Sequence, residues 1–298
     1  MMNWLKIIAT LTMLSFFSSA NAQGYCNDVG VAEEDADGVI TFTGNQNDAD
    51  CAFAPDEYTV TIYQMGLCTS PPTRPTGSTS YNLDSSCVAI IVSPDGQAVN
   101  LAAGGEMTLS DVTRPPNGSY SYGYLVMANT FGIKAKKQFT NTMHTFDSGT
   151  SGNFCWTKDA TAASSDSDNA GWTDPSPLVE CGGASGTAGT YTEVLDQFDT
   201  NDYEEGPIAV TGGTLSADLI TAASGMVVSA PNTADRLFGV QTFTSPVVIA
   251  PSSTEFTVSF GVNQASSLWY FEDLGLGANQ YQVYAIGSGP FSTSMTAN

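Results

Sequence analysis

Glu255-Phe256-Thr257-Val258-Ser259-Phe260-Gly261-Val262 carries an apolar side chain at every even position and a small or polar one at every odd position. A period of two puts the apolar set on one face of an extended strand, whereas a helix repeats about every 3.6 residues. Shorter runs rich in Val, Ile, Thr, Tyr and Phe recur along the chain: Val39–Thr43, Thr59–Leu67, Cys87–Ser93, Ser119–Met127, Ile133–Phe139, Asp218–Val228, Leu237–Phe243, Leu268–Phe271 and Tyr281–Ala285. Gly, Pro, Asn and Asp clusters separate them, as turns require. Asn263-Gln264 reads as a turn pairing the 255–262 run with Leu268–Phe271. Tyr191–Phe198 is the one segment that could be a short helix, and it reads equally well as a strand. The expected fold is all-β: antiparallel β-sandwich or jelly-roll-like layers with disulfide-stapled loops.

The first 22 residues stand apart. A weakly basic start ending at Lys6, an apolar run Ile7–Phe17 and the small residues Ser18–Ala22 form a secretory signal peptide cleaved after Ala22. The run is shorter than the ~18–20 residues that span a bilayer. Export places all six cysteines in an oxidising compartment. Cys26, Cys51, Cys68, Cys87, Cys155 and Cys181 allow about 15 pairings. The sequential scheme 26–51, 68–87 and 155–181 is expected, since each bridge closes one local loop, worth about 3 kcal/mol in a chain-entropy model. With no Cys-x-x-Cys and one histidine, zinc ligation is disfavoured.

Composition shifts between about Ser148 and Gly189, where Ser, Thr, Gly, Asp and Ala dominate. The expected organisation is residues 1–22 as signal, 23–147 as an N-terminal β-domain, 148–190 as a disulfide-closed excursion and 191–298 as a C-terminal β-domain.

Thirty acids face eight bases, a formal charge of −22. Phosphate binding needs clustered Lys and Arg, so nucleic acid is excluded as a partner and an anionic membrane is disfavoured. The one basic cluster, Lys134, Lys136 and Lys137, reads as a solvated strand end or a patch for acidic neighbours.

Residue types that carry chemistry are sparse. His144 is the sole histidine, and the Gly-x-Ser patterns at Ser151 and Ser185 lack the closing glycine of a nucleophile elbow. Glu33, Asp35 and Asp37, followed by Gly38 and Ile40, resemble the first half of an EF-hand calcium loop, but the twelfth position is Gly44 instead of glutamate. Asp166 and Asp168 lie in a second acidic loop. Tyr120, Tyr122 and Tyr124 alternate with small residues and form a candidate contact face, for carbohydrate or for packing. The expected function is that of a secreted, periplasmic or cell-surface structural protein. It would be non-enzymatic and would associate with itself or another surface protein, with calcium as the one candidate ion and no membrane insertion after signal cleavage. The alternatives are a calcium-dependent glycan-binding adhesin and, further off, a carboxylate-based glycoside hydrolase.

Overall fold

The computed structural model describes residues 32–42, 49–102, 106–107, 113–145, 149–163, 178–184, 186–198, 201–210, 212–253, 256–262, 265–273, 275–277, 280–289 and 291–297. Its strands are β1 (Ala32–Glu34), β2 (Val39–Phe42), β3 (Ala49–Phe53), β4 (Glu57–Cys68), β5 (Cys87–Ala102), β6 (Glu106–Met107) and β7 (Gly118–Met127). Next come β8 (Thr130–Lys134), β9 (Lys136–Thr145), β10 (Ser151–Thr157), β11 (Ala160–Ala163), β12 (Val179–Gly182), β13 (Tyr191–Val194) and β14 (Glu204–Val210). The last six are β15 (Gly213–Ile220), β16 (Arg236–Ile249), β17 (Phe256–Gly261), β18 (Ser266–Glu272), β19 (Gln280–Ser288) and β20 (Ser292–Ala297). No helix occurs among the described residues. The all-β, layered architecture is thus the one expected.

Three sheets pack on a shared core. In the larger one, β4 has β5 on one side; on the other its first residues pair with β8 and its last with β7. Beyond β7 lie β16, β15 and β14; beyond β8 lie β13 and β11. The second sheet runs β1-β2-β9-β19-β18-β3, with β10 on β9 and β12 on β10. The third is β20-β17-β6. Pairings are antiparallel except β11 with β13, β19 with β9 and β2 with β9. Strands from either side of residues 148–190 pair in both large sheets, as in β7 with β16 and β9 with β19. The two halves named from sequence therefore share their sheets and one hydrophobic cluster.

β4 shows how sequence sets the layering. Tyr58, Val60 and Ile62 are buried while Thr59 and Thr61 are half-exposed, the signature of a one-sided face. From Met65 to Cys68 every residue is buried, because a second cover lies outside the sheet. That cover is the loop 69–86, closed at its base by the Cys68–Cys87 disulfide. Tyr81 stacks on Phe238 with ring centroids 4.7 Å apart, over a small outer cluster with Cys68, Tyr124, Val126, Ile220 and Val240. Arg74 pins the loop: its Nε and Nη2 donate to the two carboxylate oxygens of the fully buried Asp218, at 2.9 and 2.7 Å. The inner core is aromatic, with Phe42 against Tyr270 at 4.0 Å and Tyr58 against Phe131 at 5.8 Å.

Several expectations need correction. The 255–262 run does not form a hairpin with Leu268–Phe271; β17 pairs with β20 and β6, and β18 with β19 and β3. Alternation marks a strand but not its partner. Here Ala265 N–H donates to Val262 O at 3.1 Å, and β17 and β18 on either side of this bond belong to different sheets. The Ile133–Phe139 run breaks at Ala135, whose N–H donates to Thr157 Oγ1 at 3.1 Å and whose carbonyl accepts from Thr157 N–H at 3.0 Å. The break lets β8 and β9 enter different sheets. The strand expected at Asp218–Val228 ends at Ile220, where a turn follows with Gly225 at φ +65°. Tyr191–Phe198 is a strand only to Val194.

Cys155 and Cys181 are bonded directly across β10 and β12, so two of the three sequential disulfides are present. The third would use Cys26, outside the described residues. The 148–190 excursion contributes β10, β11 and β12 to the sheets.

Replacing Arg74 by alanine leaves the Asp218 carboxylate buried without its cation. Loss of one partner from a buried pair costs about 3–5 kcal/mol, and the one-third exposure of Arg74 lowers the expectation to about 2–3 kcal/mol. Urea unfolding of Arg74→Ala measures it, and a change below about 0.5 kcal/mol would remove the clamp from the fold's essentials.

Candidate functional site

Among the described residues the larger sheet ends in strands paired on one side only. Among the described residues β5 pairs only with β4, and its outer side receives a single backbone bond, from Thr113 N–H to Ile90 O at 2.8 Å. An unpaired edge presents a row of N–H and C=O groups that can template another strand. The sequence divides this edge in two: Gln64 pairs with Val92 and Ile62 with Gln97, so Ser93-Pro94-Asp95-Gly96 bulges out. Gly96 is required there, at φ +81° and with a Cβ position only 2.6 Å from Thr61 Cγ2. Beside the bulge, Val92 is 64% exposed.

Among the described residues a second stretch paired on one side only lies on β16. β15 ends opposite Phe243, and β16 continues to Ile249 against the start of β7. Arg114 holds the end of this ribbon, donating to the carbonyls of Ala250 (2.7 Å) and Ser253 (3.1 Å) and to Asn117 Oδ1 (2.8 Å). Val248 there is 60% exposed. β14, by contrast, is guarded by Glu204, Glu205 and Pro207, features that discourage edge pairing.

The residues singled out from sequence fall as follows. Tyr120 and Tyr124 are buried and Tyr122 is half-buried. Tyr120 joins the large core and donates to Pro116 O at 2.8 Å; Tyr124 joins the outer cluster and accepts from Gln64 Nε2 at 3.1 Å. They are not one exposed platform. Asp35 and Asp37 lie in the β1–β2 turn, where Asp35 Oδ1 accepts from Asp37 N–H and Val39 N–H, each at 2.9 Å. Glu33 lies in β1; the side chain of Glu33 and all of Asp166 and Asp168 lie outside what is described. His144 stands near the end of β9 with Nε2 2.6 Å from Gln280 Oε1. The three lysines are not free solvated charges: Lys134 pairs with Glu57 at 3.3 Å, Lys136 donates to Gly186 O at 2.7 Å, and Lys137 lies 5.1 Å from the Phe53 ring.

No family model, curated protein or solved structure matches the chain.

Sequence reasoning missed Glu193. It is 4% exposed, and its carboxylate accepts from Ser288 N–H, tying β13 of the larger sheet to β19 of the second. Burial pushes its pKa up to about 7, opposed by the Ser288 hydrogen bonds and reinforced by the buried Asp196. Asp196 itself accepts from Asn232 N–H at 3.1 Å. Tyr58, whose buried hydroxyl has no partner among the described residues, is held neutral by burial and by Glu193. The available signal was parity: Glu193 shares the inward face of its strand with Tyr191.

A carboxyl whose folded pKa is raised favours the native state while protonated, and that stability is lost as pH rises from its unfolded value through the folded one. Between about pH 4.5 and 7 the stability of the parent should fall by roughly 3 kcal/mol through Glu193 alone. Glu193→Gln should lack that fall. Urea midpoints across this range test it, and parallel profiles for parent and variant would contradict it.

Proposed function

We propose that the chain is a secreted, non-enzymatic structural or surface protein that associates with copies of itself by strand addition at the open edges of its larger sheet. The carrying observation is β5, 16 residues long and paired on one side only among the described residues. Strand addition uses backbone bonds for affinity and side-chain pockets for register. The bulge at 93–96 confines the acceptor to the short halves on either side, which limits uncontrolled growth. The leader-like residues 1–22 and the two disulfides fit export to an oxidising compartment.

Other readings draw less support. A stacking platform for glycan would need exposed rings, and Tyr120 and Tyr124 are interior. Calcium at Asp35 would compete with two backbone donors already on its Oδ1. A carboxylate-based hydrolase needs an acidic pair in an open cleft, whereas Glu193 and Asp196 are enclosed.

At −22, copies repel one another, so association should strengthen as salt rises from about 0.01 M, where the Debye length is about 30 Å, to about 0.15 M, where it is about 8 Å. Light scattering of the purified chain across protein and salt concentration measures this. Val92→Lys, which sets a charge on the β5 edge, should weaken association at least about tenfold with an unchanged melting temperature. A strict monomer under all conditions, or a variant that assembles like the parent, would refute edge addition.

A further inference from the structure

Asn117-Gly118 is the one Asn-Gly pair in the chain. It stands at the entry to β7, where Gly118 lies opposite Ile249 of β16. Glycine answers no structural demand at this position. Its φ lies outside the left-handed region, and a Cβ there would come no closer than 3.4 Å to Tyr120, an ordinary contact distance. What glycine does supply is an uncrowded backbone nitrogen directly after an asparagine side chain.

The surroundings favour attack on that side chain. Asn117 is exposed, so water can enter and a small leaving group can depart. Its Oδ1 accepts from Arg114 Nη2 at 2.8 Å. The guanidinium is held there by its other bonds: Nη2 to Ala250 O at 2.7 Å, Nε to Ser253 O at 3.1 Å and Nη1 to Pro115 O at 3.1 Å. A cation on the amide oxygen draws electron density from Cγ and stabilises the negative charge that forms on Oδ1 when a nucleophile adds. Covalent geometry provides the nucleophile, because Gly118 N is bonded to the Asn117 carbonyl carbon and its attack on Cγ closes a succinimide ring.

We propose that Asn117 is a self-modification site, converted in the folded protein to aspartate and isoaspartate by attack of the Gly118 nitrogen. The Gly118 N–Cγ bond forms, the Gly118 proton passes through solvent to Nδ2, and the Cγ–Nδ2 bond breaks to release ammonia. Water then opens the ring. Addition at Cγ breaks its bond to Gly118 N and gives aspartate; addition at the backbone carbonyl carbon breaks that bond instead and gives isoaspartate. Either product adds one negative charge beside Arg114. Aspartate keeps the backbone and turns the Arg114 hydrogen bond into an ion pair. Isoaspartate routes the chain through the side-chain methylene and lengthens it just before β7, so the pairing of Gly118 with Ile249 must shift. This site is independent of the strand-addition reading.

Purified full chain, incubated in mildly alkaline buffer and sampled over weeks, is digested and analysed by mass spectrometry, with a urea-unfolded sample as the reference clock. The expected result is amide-to-acid conversion at Asn117 ahead of every other asparagine, as two chromatographically distinct products, at a rate within about tenfold of the unfolded chain. Gly118→Ala, which the space at that position admits, should slow conversion at least about tenfold with an unchanged unfolding midpoint. Asn117 that stays intact in the folded parent while the unfolded chain converts, or equal rates in the parent and Gly118→Ala, would overturn the site.

Discussion

Asn129 is the joint on which the larger sheet depends. β7 and β8 are one extended path interrupted at Ala128-Asn129, and the sheet forks there into a β16–β15–β14 arm and a β13–β11 arm. The Asn129 side chain, in a residue only 4% exposed, donates to Leu195 O at the end of one arm (3.0 Å) and to Ala234 O at the start of the other (3.1 Å). The backbone carbonyl of Asn129 accepts from Leu195 N–H at 2.7 Å. A fork in a sheet leaves backbone groups without ladder partners, and burying them unpaired is costly. One amide supplies what the missing ladder would have supplied. On the β16 arm the fork positions Asp218 under Arg74, and on the β13 arm it positions Glu193 against Ser288.

The same economy governs charge. Lys6 lies outside the described residues, and each of the other seven bases is engaged within the chain: Arg74 with Asp218, Arg114 with backbone carbonyls, Lys134 with Glu57, Lys136 and Lys137 as described, Lys158 with Glu180, and Arg236 over the Tyr63 ring at 3.6 Å. Positive charge fastens loops and edges, and the remaining acids give the molecule a field of one sign. Such a field favours solubility and makes any contact between copies sensitive to ionic strength.

Strands were legible in the sequence because period-two alternation or a short apolar run between turn residues reports burial. Partners were not legible: β17 alternates and β18 carries the continuous apolar run Leu268–Phe271, yet they belong to different sheets, since pairing depends on contacts remote in sequence. The tyrosines of β7 were read as one face, but the loop 69–86 covers the outer side of the sheet and makes both faces interior. Glu193 was hidden among thirty acids, with only its parity to mark it, while Asn129 carried no local sign of burial. The two disulfides seen were legible because short loops between successive cysteines favour local closure. The strands that pair on one side only among the described residues were beyond reach, since an edge is defined by the absence of a neighbour.

If Asn129 holds both arms as one cooperative unit, hydrogen exchange of the folded protein is the most direct measurement, read at the amides of β13 and β16 in parent and Asn129→Ala. The expected result is that both arms of the parent open with one common free energy, while in the variant the β13–β11 arm exchanges ahead of the β16 arm. Arms that already differ in the parent, or that lose protection together and equally in the variant, would contradict the role given to this residue.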